Sequence, residues 1–111
     1  MSYSIRRLAR GDEAILARLA AEEADFDLDD RGEPLEALSV EAARAYLNDP
    51  NVLHWVAEEG AEAGSIVVGH LLCHQLRMRA GTAVELVLYE IGVRRSERRR
   101  GIGRALVALA L

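Results

Sequence analysis

Disulfides, membrane spans, repeats and low-complexity linkers are all missing from this chain of 111 residues. Its single cysteine, Cys73, cannot close an internal disulfide. With no cysteine or histidine partner at ligand spacing, it also makes no recognisable zinc site, and it reads as a small core residue. No apolar run approaches the ~20 residues that a spanning helix needs. The opening Met1-Ser2-Tyr3-Ser4-Ile5-Arg6-Arg7 lacks the apolar stretch of a signal peptide, so the default address is the cytoplasm. Aromatics make up only 5%, and much of the apolar fraction is alanine. Positive charge is in deficit, with a net charge of −4 and a pI near 5.4, which argues against generic affinity for nucleic acid.

What is present suits one globular domain: 50% hydrophobic and 29% charged residues on a length that supports a modest core. Ser4 to Leu8 reads as a first strand. Gly11 then turns the chain and Asp12 stands at an N-cap position. Ile15, Leu16, Leu19, Ala20, Glu23 and Phe26 follow at helical spacing, with Glu23 the one polar interruption of that face.

The segment from Asp25 to Pro34 is acidic, carries Gly32 and reads as a surface loop, either simply solvated or an acidic rim that attracts a cationic ligand. Asp25, Asp27, Asp29 and Glu36 fall at positions 1, 3, 5 and 12 of a calcium loop. Position 6, where such a loop needs glycine, is Asp30, which argues against calcium. Ser39 caps a second helix over Val40 to Leu47, stopped by Asn48-Asp49-Pro50-Asn51. Strands over Val52 to Glu58 and Ile66 to Leu76 form a hairpin, and a further strand runs from Val84 to Val93. The expected order is β-α-α-β-β-β-α, a mixed α/β (α+β) fold whose last helix begins at or near Gly101. That helix ends without a stop signal, so a single domain over 1–111 that lacks its C-terminal half is expected.

The last strand feeds a basic loop with six arginines between Arg94 and Arg104, and two glycines at the mouth of a helix. A helix start gathers unpaired N–H groups and the positive end of the dipole. Glycines there let a phosphate approach the backbone without meeting a Cβ. The spacing Val93-x-x-x-x-Arg98-x-x-Gly101-x-Gly103 resembles the acyl-CoA motif of the GNAT acetyltransferase superfamily, Gln/Arg-x-x-Gly-x-Gly/Ala, with Ile102 a usual middle residue and Leu106 the apolar anchor on the helix. Arg95 stands where many members carry proline. Ile5-Arg6-Arg7-Leu8 with Gly11-Asp12, the helix pair, and Trp55 to Glu58 leading to Val67 to Leu71 also resemble the N-terminal half of that superfamily. The run Tyr89-Glu90-Ile91-Gly92-Val93 together with the acidic loop looks most like the aminoglycoside 3-N-acetyltransferase group.

The resemblance implies acetyl-CoA as co-substrate. The amides of Arg99, Arg100, Gly101, Ile102, Gly103 and Arg104, with Arg98, would bind its pyrophosphate, and the main chain of Ile91, Gly92 and Val93 would pair with the pantetheine arm. It implies direct attack by a primary amine, such as that of an aminoglycoside, with no covalent enzyme intermediate. The thiolate-protonating tyrosine of many relatives would lie after residue 111.

For the base, Glu90 is the candidate, beside Tyr89. Strict alternation puts Glu85 on the face of Tyr89 and Glu90 on the other, unless a bulge intervenes, as the family commonly has in this strand. His54, His70 and His74 are alternative bases, and His70 and His74 share a strand face. No metal is expected at the site. A competing expectation is a non-catalytic CoA-binding half-domain that dimerises through an unpaired strand edge.

Overall fold

The structure is a computed structural model in which residues 3–26, 36–60 and 65–110 are described. Its elements are β1 (Ser4–Arg7), α1 (Glu13–Ala21), α2 (Glu23–Phe26), α3 (Val40–Asn48), β2 (Val52–Glu59), β3 (Ile66–Arg77), β4 (Val84–Val93) and α4 (Ile102–Ala110), with one 3-10 turn over Arg95–Glu97. Among the described residues the strands form one antiparallel sheet in the order β1-β2-β3-β4.

Side chains alternate across a strand, so each strand feeds two layers. On one face Ala57, Val68, Leu71 and Cys73 pack against Ile102 and Leu106 of α4. On the other, Val56 and Val67 meet Leu19 of α1 and Phe26 of α2, with Leu8 and Leu47 closing the layer. The α4 helix presses close to the sheet. A Cβ on Gly69 would stand 2.9 Å from Ile102 Cγ2, so glycine at this β3 position sets the approach of the helix that follows the loop.

Three expectations need correction. The helix expected to run through Phe26 breaks after Ala21, where Glu22 leaves helical geometry at φ −105° and ψ 18° although its N–H still bonds Arg18 O; a new turn then carries Phe26 to its buried position. Asp12 stands at the N-cap position but its side chain does not cap. Its carboxylate instead accepts the Ala9 N–H and pairs with Arg6, whose Nε also bonds Glu58 at 2.6 Å. Asp25 and Phe26 belong to α2 rather than to a loop, and Asp25 pairs with Arg94 at 2.9 Å. The rest of the acidic segment, including Asp27 and Asp29 of the calcium pattern, lies outside the described residues. Ser39 does cap α3, accepting the Ala42 N–H at 3.1 Å.

Candidate functional site

Beyond Val93 the chain turns through residues held at positive φ, Arg99 at 72° and Gly101 at 77°. A non-glycine residue in that region is sparsely populated and costs of order 1 kcal/mol or more, so the loop is held by its surroundings. The first bond of the helix runs from Ala105 N to Gly101 O at 3.0 Å. That leaves the N–H groups of Ile102, Gly103 and Arg104 ahead of the ladder, at the positive end of the dipole. The groove beside them, ≈ 450 Å³, is lined by Val93, Arg98, Arg99 and the first helical residues through Arg104.

Two observations match this groove to a phosphate-bearing ligand. Arg98 donates from Nε to Val93 O at 3.1 Å, and its Nη2 is buried with no hydrogen-bond partner among the described residues. Buried guanidinium nitrogens seek an acceptor, and a phosphate supplies one. Gly103 is the second: a Cβ there would meet only ordinary contacts, Val93 Cγ2 at 3.6 Å and Ile91 Cδ1 at 3.7 Å. Packing within the chain therefore leaves room for a side chain that the sequence does not supply, as a close-approaching ligand would require. The residues present fit the pyrophosphate of acetyl-CoA.

The arginines divide. Arg94 faces away from the groove. Its guanidinium lies 4.7 Å over the Phe26 ring, donates to Val67 O at 3.0 Å, and pairs with Glu22 and Asp25, clamping α2 to the sheet. Arg100 turns its side chain to Glu59 and Glu97, so only its backbone belongs to the loop. Arg98, Arg99 and Arg104 line the groove.

Along the outer edge of β4, backbone groups alternate in direction. Arg94 N–H bonds Val68 O at 2.8 Å, so the groups of Arg94 and Gly92 point toward β3, and those of Ile91 and Val93 point to the edge. Gly92 is therefore in a position to pack rather than to pair with a ligand. A Cβ on it would meet Phe26 Cβ at 2.9 Å and Phe26 O at 3.1 Å.

The second half of the site depends on a bulge. Cys73 opposes Leu88 and Leu72 opposes Glu90, so Tyr89 is the extra residue of β4. The slip moves Glu90 onto the face of Val87 and Glu85, toward α1 and α2. There it lines a pocket of ≈ 320 Å³ with Leu16, Leu19, Glu23, Tyr46 and the exposed Tyr89. His70 Nε2 faces Glu90 Oε1 at 3.6 Å, a separation longer than a hydrogen bond.

Behind His70 lies a string of polar contacts. The Tyr46 hydroxyl is 2.8 Å from His54 Nδ1, and His54 Nε2 is 3.0 Å from His70 Nδ1. Burial holds both imidazoles uncharged, pushing His54 down to about 3 and His70 to about 4, with His70 and His74 adding to the effect on His54. Burial also raises the Tyr46 hydroxyl, and the charge of Glu90 adds to it. Two proton orders satisfy the string. If Tyr46 donates, His70 presents Nε2–H to Glu90; in the reverse order His70 gives its Nδ1–H to His54 and presents a lone pair to the pocket.

His70 and His74 do share a face of β3, but the partner of His70 is His54 of β2, which sequence spacing does not reveal. Glu23 is the other residue of this pocket that motif spacing does not point to. Its signal was there, as the single polar residue on an apolar helical face, and it converges with Glu90 on His70, the donor atoms all within 4.8 Å.

A comparison with curated protein sequences gives no match. Among solved structures, an aminoglycoside acetyltransferase from an uncultured soil metagenomic sample is 23% identical, with a TM-score of 0.75 over 99% of this chain and 70% of that one. The ribosomal-protein-alanine N-acetyltransferase of Brucella melitensis biovar Abortus 2308 is 22% identical, with a TM-score of 0.72 over 99% of this chain and 70% of that one. NAA60 of Arabidopsis thaliana, solved in complex with acetyl-CoA, is 15% identical, with a TM-score of 0.67 over 98% of this chain and 65% of that one. At these identities the likeness is one of fold. The family model described as Acetyltransferase (GNAT) family matches residues 16–111, and the chain belongs to that family.

Proposed function

We propose that this chain carries the acetyl-CoA and base-bearing part of an N-acetyltransferase that acylates a primary amine. The bulge at Tyr89 is the observation that carries this reading, because it puts a carboxylate, Glu90, into the pocket one residue before the strand edge that leads to the phosphate groove. In this reading the amides of Ile102, Gly103 and Arg104, with Arg98, hold the pyrophosphate, and the edge groups of Ile91 and Val93 pair with the pantetheine amides. The neutral amine nitrogen attacks the thioester carbonyl, the C–N bond forms, and the C–S bond breaks to release CoA as its thiolate. Glu90 takes the proton lost from nitrogen. Carboxylates at Glu23, Glu36 and Glu90 around the pocket favour a cationic acceptor, and aminoglycosides fit that class.

Calorimetric titration with acetyl-CoA tests the cofactor half, with saturable binding expected; no heat at high micromolar ligand overturns it. Thiol release with a panel of aminoglycosides and peptides with free N-termini tests the chemistry. Glu90→Gln is expected to lower turnover ~10²–10⁴-fold while leaving acetyl-CoA affinity in place. A second reading, a CoA-binding module that pairs through β4, is favoured by one observation: β4 ends the sheet among the described residues and exposes Val84, Leu86, Leu88 and Tyr89.

A further inference from the structure

We propose that Glu23, His70 and Glu90 form a site for a divalent transition-metal ion of the zinc or cobalt type, in the pocket where α2, β3 and β4 meet. One donor comes from each element, and the three donor atoms lie within 4.8 Å of one another. Ligands bound at ~2.0–2.2 Å around a tetrahedral ion stand about 3–4 Å apart. The 3.6 Å from His70 Nε2 to Glu90 Oε1 already falls in that range.

Acidic side chains alone would not make a site. The independent feature is His70, which is 2% exposed and turns Nε2 to Glu90, with a Glu23 oxygen in the same cluster. Its ring cannot swing away. His54 holds Nδ1 at 3.0 Å, Tyr46 holds His54 at 2.8 Å, and Phe26 stands edge-on to the ring at 5.3 Å. Metal-bound histidines are oriented in this way, through a partner on the other ring nitrogen. In the proton order that sends His70 Nδ1–H to His54, His70 offers a lone pair beside two carboxylates, the donor types that such an ion takes.

The imidazole selects the ion. Calcium and magnesium favour all-oxygen shells, whereas one nitrogen and two carboxylate oxygens suit zinc, cobalt or manganese, with the Irving–Williams order favouring zinc and cobalt over manganese. The pocket that these residues line, ≈ 320 Å³, has room for a water as a fourth ligand. Occupation would tie up an oxygen of Glu90, so a bound ion would silence the base. That consequence rests on the acetyltransferase reading; the binding itself does not.

The tag-free chain, stripped with chelator, is titrated with cobalt chloride and followed by visible d–d absorption, with zinc chloride then displacing the cobalt. One equivalent is expected to bind. Glu23→Gln, at a half-buried helix position, is expected to weaken binding roughly tenfold or more, with unchanged circular dichroism, and His74→Asn to leave it intact. Failure to saturate, full-strength binding by Glu23→Gln, or loss on His74→Asn would each overturn the proposal. Acetyl-CoA titration of the same preparation separates that failure from failure of the acetyltransferase reading, because the phosphate groove shares none of these residues.

Discussion

Gly92 and Gly103 sit eleven positions apart and are glycine for opposite reasons. At Gly92 the crowding is internal: an added Cβ lies 2.9 Å from Phe26 Cβ, 3.1 Å from its carbonyl oxygen and 3.2 Å from His70 Nε2. Two of those atoms belong to the turn of α2 and cannot give way cheaply. Gly92→Ala should cost ~1–3 kcal/mol, as overpacking usually does. At Gly103 the same addition meets nothing closer than 3.6 Å, and alanine is the better helix former. Gly103→Ala should therefore keep or slightly raise the urea midpoint while weakening acetyl-CoA roughly tenfold, ~1.4 kcal/mol. Urea melts beside calorimetric titrations distinguish the pair, and a stability loss at Gly103 would mean that the chain, not a ligand, needs the space. In the sequence both glycines look like parts of one cofactor run. Only the packing of Phe26 separates them, because that contact joins residues 66 positions apart, a separation that periodicity does not encode.

At the scale of elements, β4 was readable in its extent and unreadable in its faces. The β-branched and aromatic run from Val84 to Val93 fixes the strand, and its observed limits agree. Alternation then assigns Glu90 to the face opposite Glu85, and only an inserted residue at Tyr89 reverses this. Bulges leave no dependable mark in the residues themselves; the family resemblance raised one in this strand, and the pairing register places it at Tyr89. The break between α1 and α2 was hidden for a related reason: the apolar spacing continues through it, from Leu19 to Phe26, although the backbone does not. The same strand carries the test of the second reading. Val84, Leu86 and Leu88 share one face beside an outer edge, and exposed edges of this kind pair with other chains. Light scattering should give a mass that rises toward the dimer with concentration. Leu86→Lys, which puts a charge beside that edge, should return the monomer. A monomer at all concentrations in the unsubstituted chain removes the reading.

For the molecule as a whole, the buried histidine pair should govern how it responds to acid. His54 and His70 lie under α1 to α3 in the middle of the sheet, and burial pushes them from an ordinary value of 6.5 to about 3 and about 4. In the unfolded chain both would titrate near 6.5. Between pH 6.5 and about 4 the unfolded state therefore binds more protons than the folded one, and stability must fall as pH falls through that window. Asp12 acts in the same direction at lower pH, since its bonds to Arg6 hold it below its usual range and that contribution is lost as it protonates. The groups facing the pair are Tyr46, Glu23, Glu90 and His74, and because the histidines share a 3.0 Å contact their protonations oppose each other. The combined loss should be on the order of a few kcal/mol, a large part of the 5–15 kcal/mol that holds an ordinary domain folded. Urea midpoints of the metal-free chain should thus be flat above pH 7 and decline steeply from pH 6 to pH 4. In His54→Gln that decline should be shallower, whatever the variant loses in absolute stability, because one of the two proton sinks is gone from both states. An equal slope in the variant would mean that carboxylates, not the pocket histidines, set the acid limit.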